Sequence, residues 1–237
     1  MLKYYINFYT LFIFTSVWSQ TEVKKDSLSN ELRYGLRVGI DISKPIRMLI
    51  EPGYKGLELV SDYRLTRNLY LAGEIGNETK NVNQDGVHFK TTGSYLKLGV
   101  DYNVYDNWRG MDNLIVVGFR YGISQHKQTL LGYNRLIGDK YWGENNRVNL
   151  STPIAYEGLN GNWIELHLGF KAELLRNLYM GISMQMHRLL SDKDPANFEN
   201  LFIPGFNRVT DDNIFGSSFN YTISYSIPFK SSQEKNK

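Results

Sequence analysis

Polar and apolar residues alternate along most of the chain with a period of two, as in strands whose two faces meet different surroundings. Tyr34, Leu36, Val38, Ile40 and Ile42 are apolar, whereas Gly35, Arg37, Gly39 and Asp41 between them are small or charged. The same pattern predicts seven further strands. Leu57, Leu59 and Tyr63 alternate with Glu58, Asp62 and Arg64, and Leu69, Leu71 and Ile75 follow an LTRN turn with Glu74 on the other face. Leu96 to Val104 alternate with Lys97, Gly99 and Asp101, and Ile115 to Ile123 enclose Gly118, Arg120 and Gly122. Ile164 to Leu174 alternate with Glu165, His167, Gly169, Lys171 and Glu173; Met180 to Met186 follow with Gly181, and Phe219 to Phe229 with Asn220 to Pro228. A run of about nine residues is what a tilted strand needs to cross a bilayer.

The links between these runs alternate in length. Long polar links of about 13, 16, 37 and 24 residues follow the odd-numbered strands, while short turns around Arg67-Asn68, Tyr105 to Asp112 and Arg176-Asn177 follow the even ones. A membrane barrel keeps this parity, with short periplasmic turns, long outer loops and an even strand number. The expected fold is therefore all-β: a single closed antiparallel transmembrane β-barrel of about eight strands in an up-and-down meander, over residues 34–229. Two of the turns repeat each other as RNLYL and RNLYM, as a structure built from hairpins allows.

Volume decides which face looks inward. Eight strands enclose a lumen that side chains just fill, too narrow for the large apolar face, so that face is expected to meet lipid. Tyr34, Tyr63, Tyr70, Tyr102, Tyr105 and Tyr179, with Trp108 and Phe229, are then expected as the periplasmic aromatic girdle. The opposite face collects Asp41, Glu58, Asp62, Glu74, Asp101, Glu165 and Glu173 against Arg37, Arg64, Lys97, Arg120 and Lys171. Charges in so narrow a space must pair to offset their desolvation, so a cross-linked, plugging lumen network is expected, with an ion or proton path as the alternative.

Residues 1–19 read as a secretory signal, with Lys3, an apolar run from Phe8 to Phe14, and Val17 and Ser19 before cleavage at Gln20. Residues 20–33 read as a flexible periplasmic lead-in and 230–237 as a polar tail. Without the signal the net charge is about +2, which argues against nucleic acid as a partner. The absence of cysteine removes disulfides and thiol chemistry, so stability must come from the core or from closure of the sheet.

Candidate chemistry is sparse. Ser124 and His126 share one strand face and could form a nucleophile and base facing outer-leaflet lipid; His167 and His187 could share a metal. Both spacings arise easily by chance, and HExxH, GxSxG and phosphate-cradling glycine loops are missing, so no catalytic, cofactor or metal residue is assigned. The long links are the other candidate: Tyr133, Tyr141 and Trp142 in one, Phe202 and Phe206 in the last, serve either as exposed recognition anchors or as a lid over the mouth.

Segments GIDISKPIRML, GYKGLELVSDYRL, NLYLAGEIGNE, WRGMDNLIVVGFRYG, NLFIPGFNR and FNYTISYSIPF resemble a family of outer-membrane β-barrel proteins of Bacteroidota over most of the chain after residue 34. The resemblance implies location and fold, and carries no substrate, catalytic residue or cofactor. Barrels of this location tend to end on an aromatic residue, whereas Phe229 is followed by a polar tail to Lys237. The expected role is non-enzymatic: a structural or interaction barrel of the bacterial outer membrane. Its partners would be outer-membrane lipid, the barrel-insertion machinery, and an envelope component or external ligand at the outer loops. A narrow transporter or channel is the alternative, and a lipid-modifying or proteolytic enzyme comes third.

Overall fold

The computed structural model describes residues 31–84, 87–106, 112–135, 146–195, 200–208 and 214–233. The expected signal and most of the lead-in lie outside them. Eight strands pair only with their neighbours: β1 (Glu31–Asp41), β2 (Tyr54–Arg64), β3 (Leu69–Gln84), β4 (Val87–Asn103), β5 (Leu114–Arg135), β6 (Asn146–Leu175), β7 (Leu178–Asp192) and β10 (Phe215–Gln233). A helix, α1 (Ser43–Ile50), follows β1, and two short strands, β8 (Phe202–Ile203) and β9 (Asn207–Arg208), form a hairpin before β10. The ring closes where β1 meets β10, antiparallel from Glu31↔Gln233 to Asp41↔Thr222. This is the expected meander, although β1 starts inside the predicted lead-in and β10 runs past Phe229.

The long links correct the expectation most. The links after the third and fifth strands are largely strand, not loop: β3 and β4 continue to a connection of residues 85–86, and β5 and β6 to one of residues 136–145. Lys127, Gln128 and Thr129 keep the alternation beyond the apolar run, and bulges near His126 and Leu130 adjust the register. The wall is therefore uneven. β6 has 30 residues and β1 only 11, so one rim is tall over β3 to β6 and low over β7, β10, β1 and β2.

Outward positions carry an apolar belt. Ile115, Val117, Phe119, Tyr121 and Ile123 of β5 are exposed, as are Leu96, Leu98, Val100 and Tyr102 of β4 and Met180 to Met186 of β7 on alternate positions. Nine residues span about 26 Å along a strand, or about 20 Å across the bilayer at a tilt of about 40°, most of the apolar band, about 25 Å tall, of membrane barrels. On the tall side the belt stops sharply at Asn77, Ser94, Gln125 and Asn162.

Two of the expected girdle residues belong elsewhere. Tyr70 and Tyr179 are buried in the lumen, because each stands one residue from an outward leucine or methionine and strand parity turns it inward. Tyr63, Tyr102 and Phe229 do face outward, and Trp108 lies outside the described residues.

Candidate functional site

The lumen is filled in three tiers. At the short-turn end, the RNLYL and RNLYM repeats bring Tyr70 and Tyr179 in from opposite walls, one on each side of the Arg37 guanidinium, whose carbon lies 5.0 and 4.9 Å from the two ring centres. Arg64 Nε donates to the Tyr70 hydroxyl at 2.6 Å, and its Nη2 donates to Asp112 at 2.9 Å. Tyr179 donates to the other Asp112 oxygen at 2.6 Å. Asp112, in the turn between β4 and β5, is disfavoured as a charge by burial, but Arg64 and the Tyr179 hydroxyl outweigh this and hold its pKa below the ordinary aspartate range. Asp62 accepts from Arg37 Nε and from Lys171 Nζ, both at 2.6 Å. Leu114 and Val116 pack against Tyr70.

The middle tier is ionic. Arg120 donates to Asp101 at 3.0 Å and to Glu74, and its Nη1 lies 2.9 Å from His167 Nδ1. Lys97 stands among three carboxylates, 3.0 Å from Glu74, 3.3 Å from Glu165 and 3.8 Å from Glu58. Glu58 also accepts from the Tyr95 hydroxyl and from Asn220 Nδ2 at 3.1 Å, and Glu165 accepts from the Trp163 indole at 2.8 Å. A void of about 30 Å³ between Arg37, Glu74, Arg120 and His167 has room for one or two water molecules.

The third tier is brought in by connections. The β8–β9 hairpin inserts Ile203 and Phe206, both fully buried, against Tyr95, Trp163 and Leu189. Trp163 finds its place because Gly122 opposite it has no side chain: a Cβ there would lie 2.2 Å from the indole. Gly205, at φ +82°, lays backbone on the Tyr95 ring, a conformation that glycine adopts without strain. Its N–H donates to Glu78 at 3.0 Å, and Glu78 also receives Lys44 of α1 and the Tyr54 hydroxyl, each at 2.7 Å. Burial works against the Lys44 charge, yet Glu78 and Glu58 outweigh it and raise its pKa. Above this floor, α1, the ends of β3 and β4, the β8–β9 hairpin and the start of β10 surround an open recess of about 1480 Å³.

Ten of the twelve predicted network residues join one another or Asp112 as described. Asp41 is buried too, but it accepts the Ser43 N–H and hydroxyl at the start of α1 and the Tyr221 N–H. Glu173 sits at the short-turn rim, where it accepts the Asn177 N–H. Lys44, Glu78 and Asp112 complete the network: Lys44 and Asp112, in a helix and a turn, have no strand parity to read, and Glu78 lies on the polar extension of β3 that reads as a loop. Phe202 and Phe206 are not exposed anchors: both are buried, Phe202 beside Tyr54 and Phe89, because an open mouth leaves apolar wall for a loop to cover. Tyr133 is exposed, and Tyr141 and Trp142 lie outside the described residues.

Ser124 and His126 face the lumen instead of the apolar surroundings, and they do not meet: Ser124 Oγ donates to the Ser94 carbonyl at 3.4 Å, and His126 Nε2 lies 3.1 Å from Asn200 Oδ1. His187 pairs across from Glu165, and His167 across from Gln185. Among the described residues no cluster of histidine and acidic side chains could hold a metal ion.

The fold is similar to that of Ail, the attachment invasion locus protein of Yersinia pestis, with a TM-score of 0.41 and 6% sequence identity over 84% of this chain and 98% of that one. No curated protein matches the sequence. The family model described as a domain of unknown function, DUF6048, matches residues 1–232, and the chain belongs to that family.

Proposed function

We propose that this chain is a non-conducting, non-enzymatic barrel of a bacterial outer membrane that offers its tall hairpins as a contact surface. The sequence resemblance to a Bacteroidota family points to that kind of envelope. The observation that carries the reading is the pairing of a continuous outward apolar belt with a lumen filled by ion pairs and closed by the β8–β9 hairpin. Water-exposed apolar surface on that scale is unstable unless it is covered, and lipid covers a closed barrel without leaving an unpaired strand edge. The parity of the connections supports a topology with the short turns at Arg67 and Arg176 in the periplasm and the β3–β4 and β5–β6 hairpins outside. The hairpins carry the polar and aromatic groups, Tyr133 among them, that an envelope component or external ligand would meet. The barrel-insertion machinery handles the chain before that.

Planar-bilayer recordings together with surface labelling test this reading. The native barrel is expected to pass little or no steady current, and a cysteine replacing Tyr133, but not one replacing Arg67, should label in whole cells. Large steady openings would favour the transporter reading, and the reverse labelling pattern would invert the topology.

A further inference from the structure

The helix α1 has two unlike sides. Lys44 is buried on Glu78, and Arg47 lies on the Tyr54 ring, 4.1 Å from its centre, and donates to Asn207 at 3.0 Å. These contacts fix one side of the helix to the mouth of the barrel. The other side holds Ile46, Leu49 and Ile50, and Leu49 and Ile50 are 88% and 75% exposed. A soluble cap would not leave such a group in water.

The level of the helix shows what covers it. Its entry is tied to the belt, since the Ile42 N–H donates to the Tyr221 carbonyl at 2.7 Å, and Tyr221 is an exposed belt residue between Phe219 and Ile223. Its exit leads into β2, where Lys55 faces outward just beyond Leu57. The apolar side of α1 therefore continues the belt upward on the low wall, where strand alone would end. The outward positions past the belt are basic or neutral: Lys55 and Lys127 are exposed there, with Lys90 further along β4. No acidic side chain occupies the first two outward positions past the belt on any strand, among the described residues. A row of cations above an apolar band complements phosphate-bearing headgroups above acyl chains.

We infer that α1 is an interfacial helix that sinks Ile46, Leu49 and Ile50 into the outer-leaflet acyl region, beneath anionic headgroups held by the basic row. This rests on the membrane-barrel reading above and adds a lipid contact made by a connection, not by a strand. The helix compensates for the low wall, so that the belt keeps its full height around the ring.

The chain has no native cysteine, so single nitroxide labels test the inference. L49C, F119C and K127C would be labelled in the full-length mature protein and placed in vesicles of phosphatidylethanolamine and phosphatidylglycerol. Electron paramagnetic resonance then compares collision with oxygen, which enriches in hydrocarbon, and with a water-soluble nickel chelate. Folding is checked by faster migration of unboiled protein in detergent gels. The label at 49 is expected to behave as the belt label at 119 does, oxygen-rich and shielded from nickel, while the label at 127 meets nickel. A nickel-accessible label at 49 beside a shielded label at 119 overturns the inference and leaves the barrel reading intact. Nickel access at all three positions overturns both.

Discussion

The two ends of the lumen are closed by different means. At the short-turn end the closing groups are charged or phenolic and come mostly from strands, with Arg37 held between Tyr70 and Tyr179. At the tall end they are apolar and come from a connection, with Ile203 and Phe206 packed on Trp163. A strand cannot leave the wall without breaking the ladder on both sides, whereas a hairpin held by packing and a few hydrogen bonds can leave as a unit. The first closure is thus part of the wall, and the second is an insert.

Variants can break or sharpen that contrast. Replacement of Arg120 by alanine leaves Glu74 and Asp101 buried with one cation fewer, at a cost of about 3 to 5 kcal/mol; urea unfolding in detergent should show a global loss, with conductance still low. Phe206→Ala should cost about 3 kcal/mol, but locally: amide hydrogen exchange should speed up in residues 202–208 while the global unfolding midpoint moves little. An equal fall in both would make the hairpin part of the wall after all. Arg37→Ala removes one of two cations on Asp62, and Lys171 remains at 2.6 Å, so the loss should be smaller than for Arg120, about 1 to 3 kcal/mol.

The smallest effect is pH-dependent. Asp112 has a lowered pKa in the folded chain, so the stability it contributes is present above the ordinary aspartate value of about 3.9 and is lost as pH falls through its depressed value. Asp112→Asn should lower stability on the neutral side, where the ionised carboxylate contributes, and so flatten the fall toward acid pH. An unchanged acid limb would remove Asp112 from the short-turn closure.

The sequence made the strands legible because lipid and lumen impose opposite demands on neighbouring residues. Arg37, Lys97, Arg120 and their carboxylates could be placed inside from parity alone, and Tyr70 and Tyr179 were open to the same rule, since Leu69 and Met180 face the other way. What tyrosine obscured was its double use: the same ring suits a membrane interface and a stack on arginine. The β8–β9 hairpin was not legible. Its apolar residues have no period, and nothing in NLFIPGFNR distinguishes a loop that binds a partner from one that binds its own barrel. Pairing of the extended β5 and β6 was also hidden, because polar, bulged strands past the belt read as loop when only apolar alternation is counted.

The bonds across the lumen set the order of assembly. Lys171 and Asp62 are 109 residues apart in the chain, and Asn220 and Glu58 are 162 apart. Neither pair can meet until the sheet has curled, and the seam between β1 and β10 joins the two ends of the barrel sequence. Before the seam forms, a flat sheet in the bilayer would turn Glu58 toward hydrocarbon without Asn220, and Glu165 without Lys97, while Glu74 would keep Lys97 on the neighbouring strand. Neutralising the interior and sealing the ring are therefore one late, concerted event, and insertion should show no stable half-closed state.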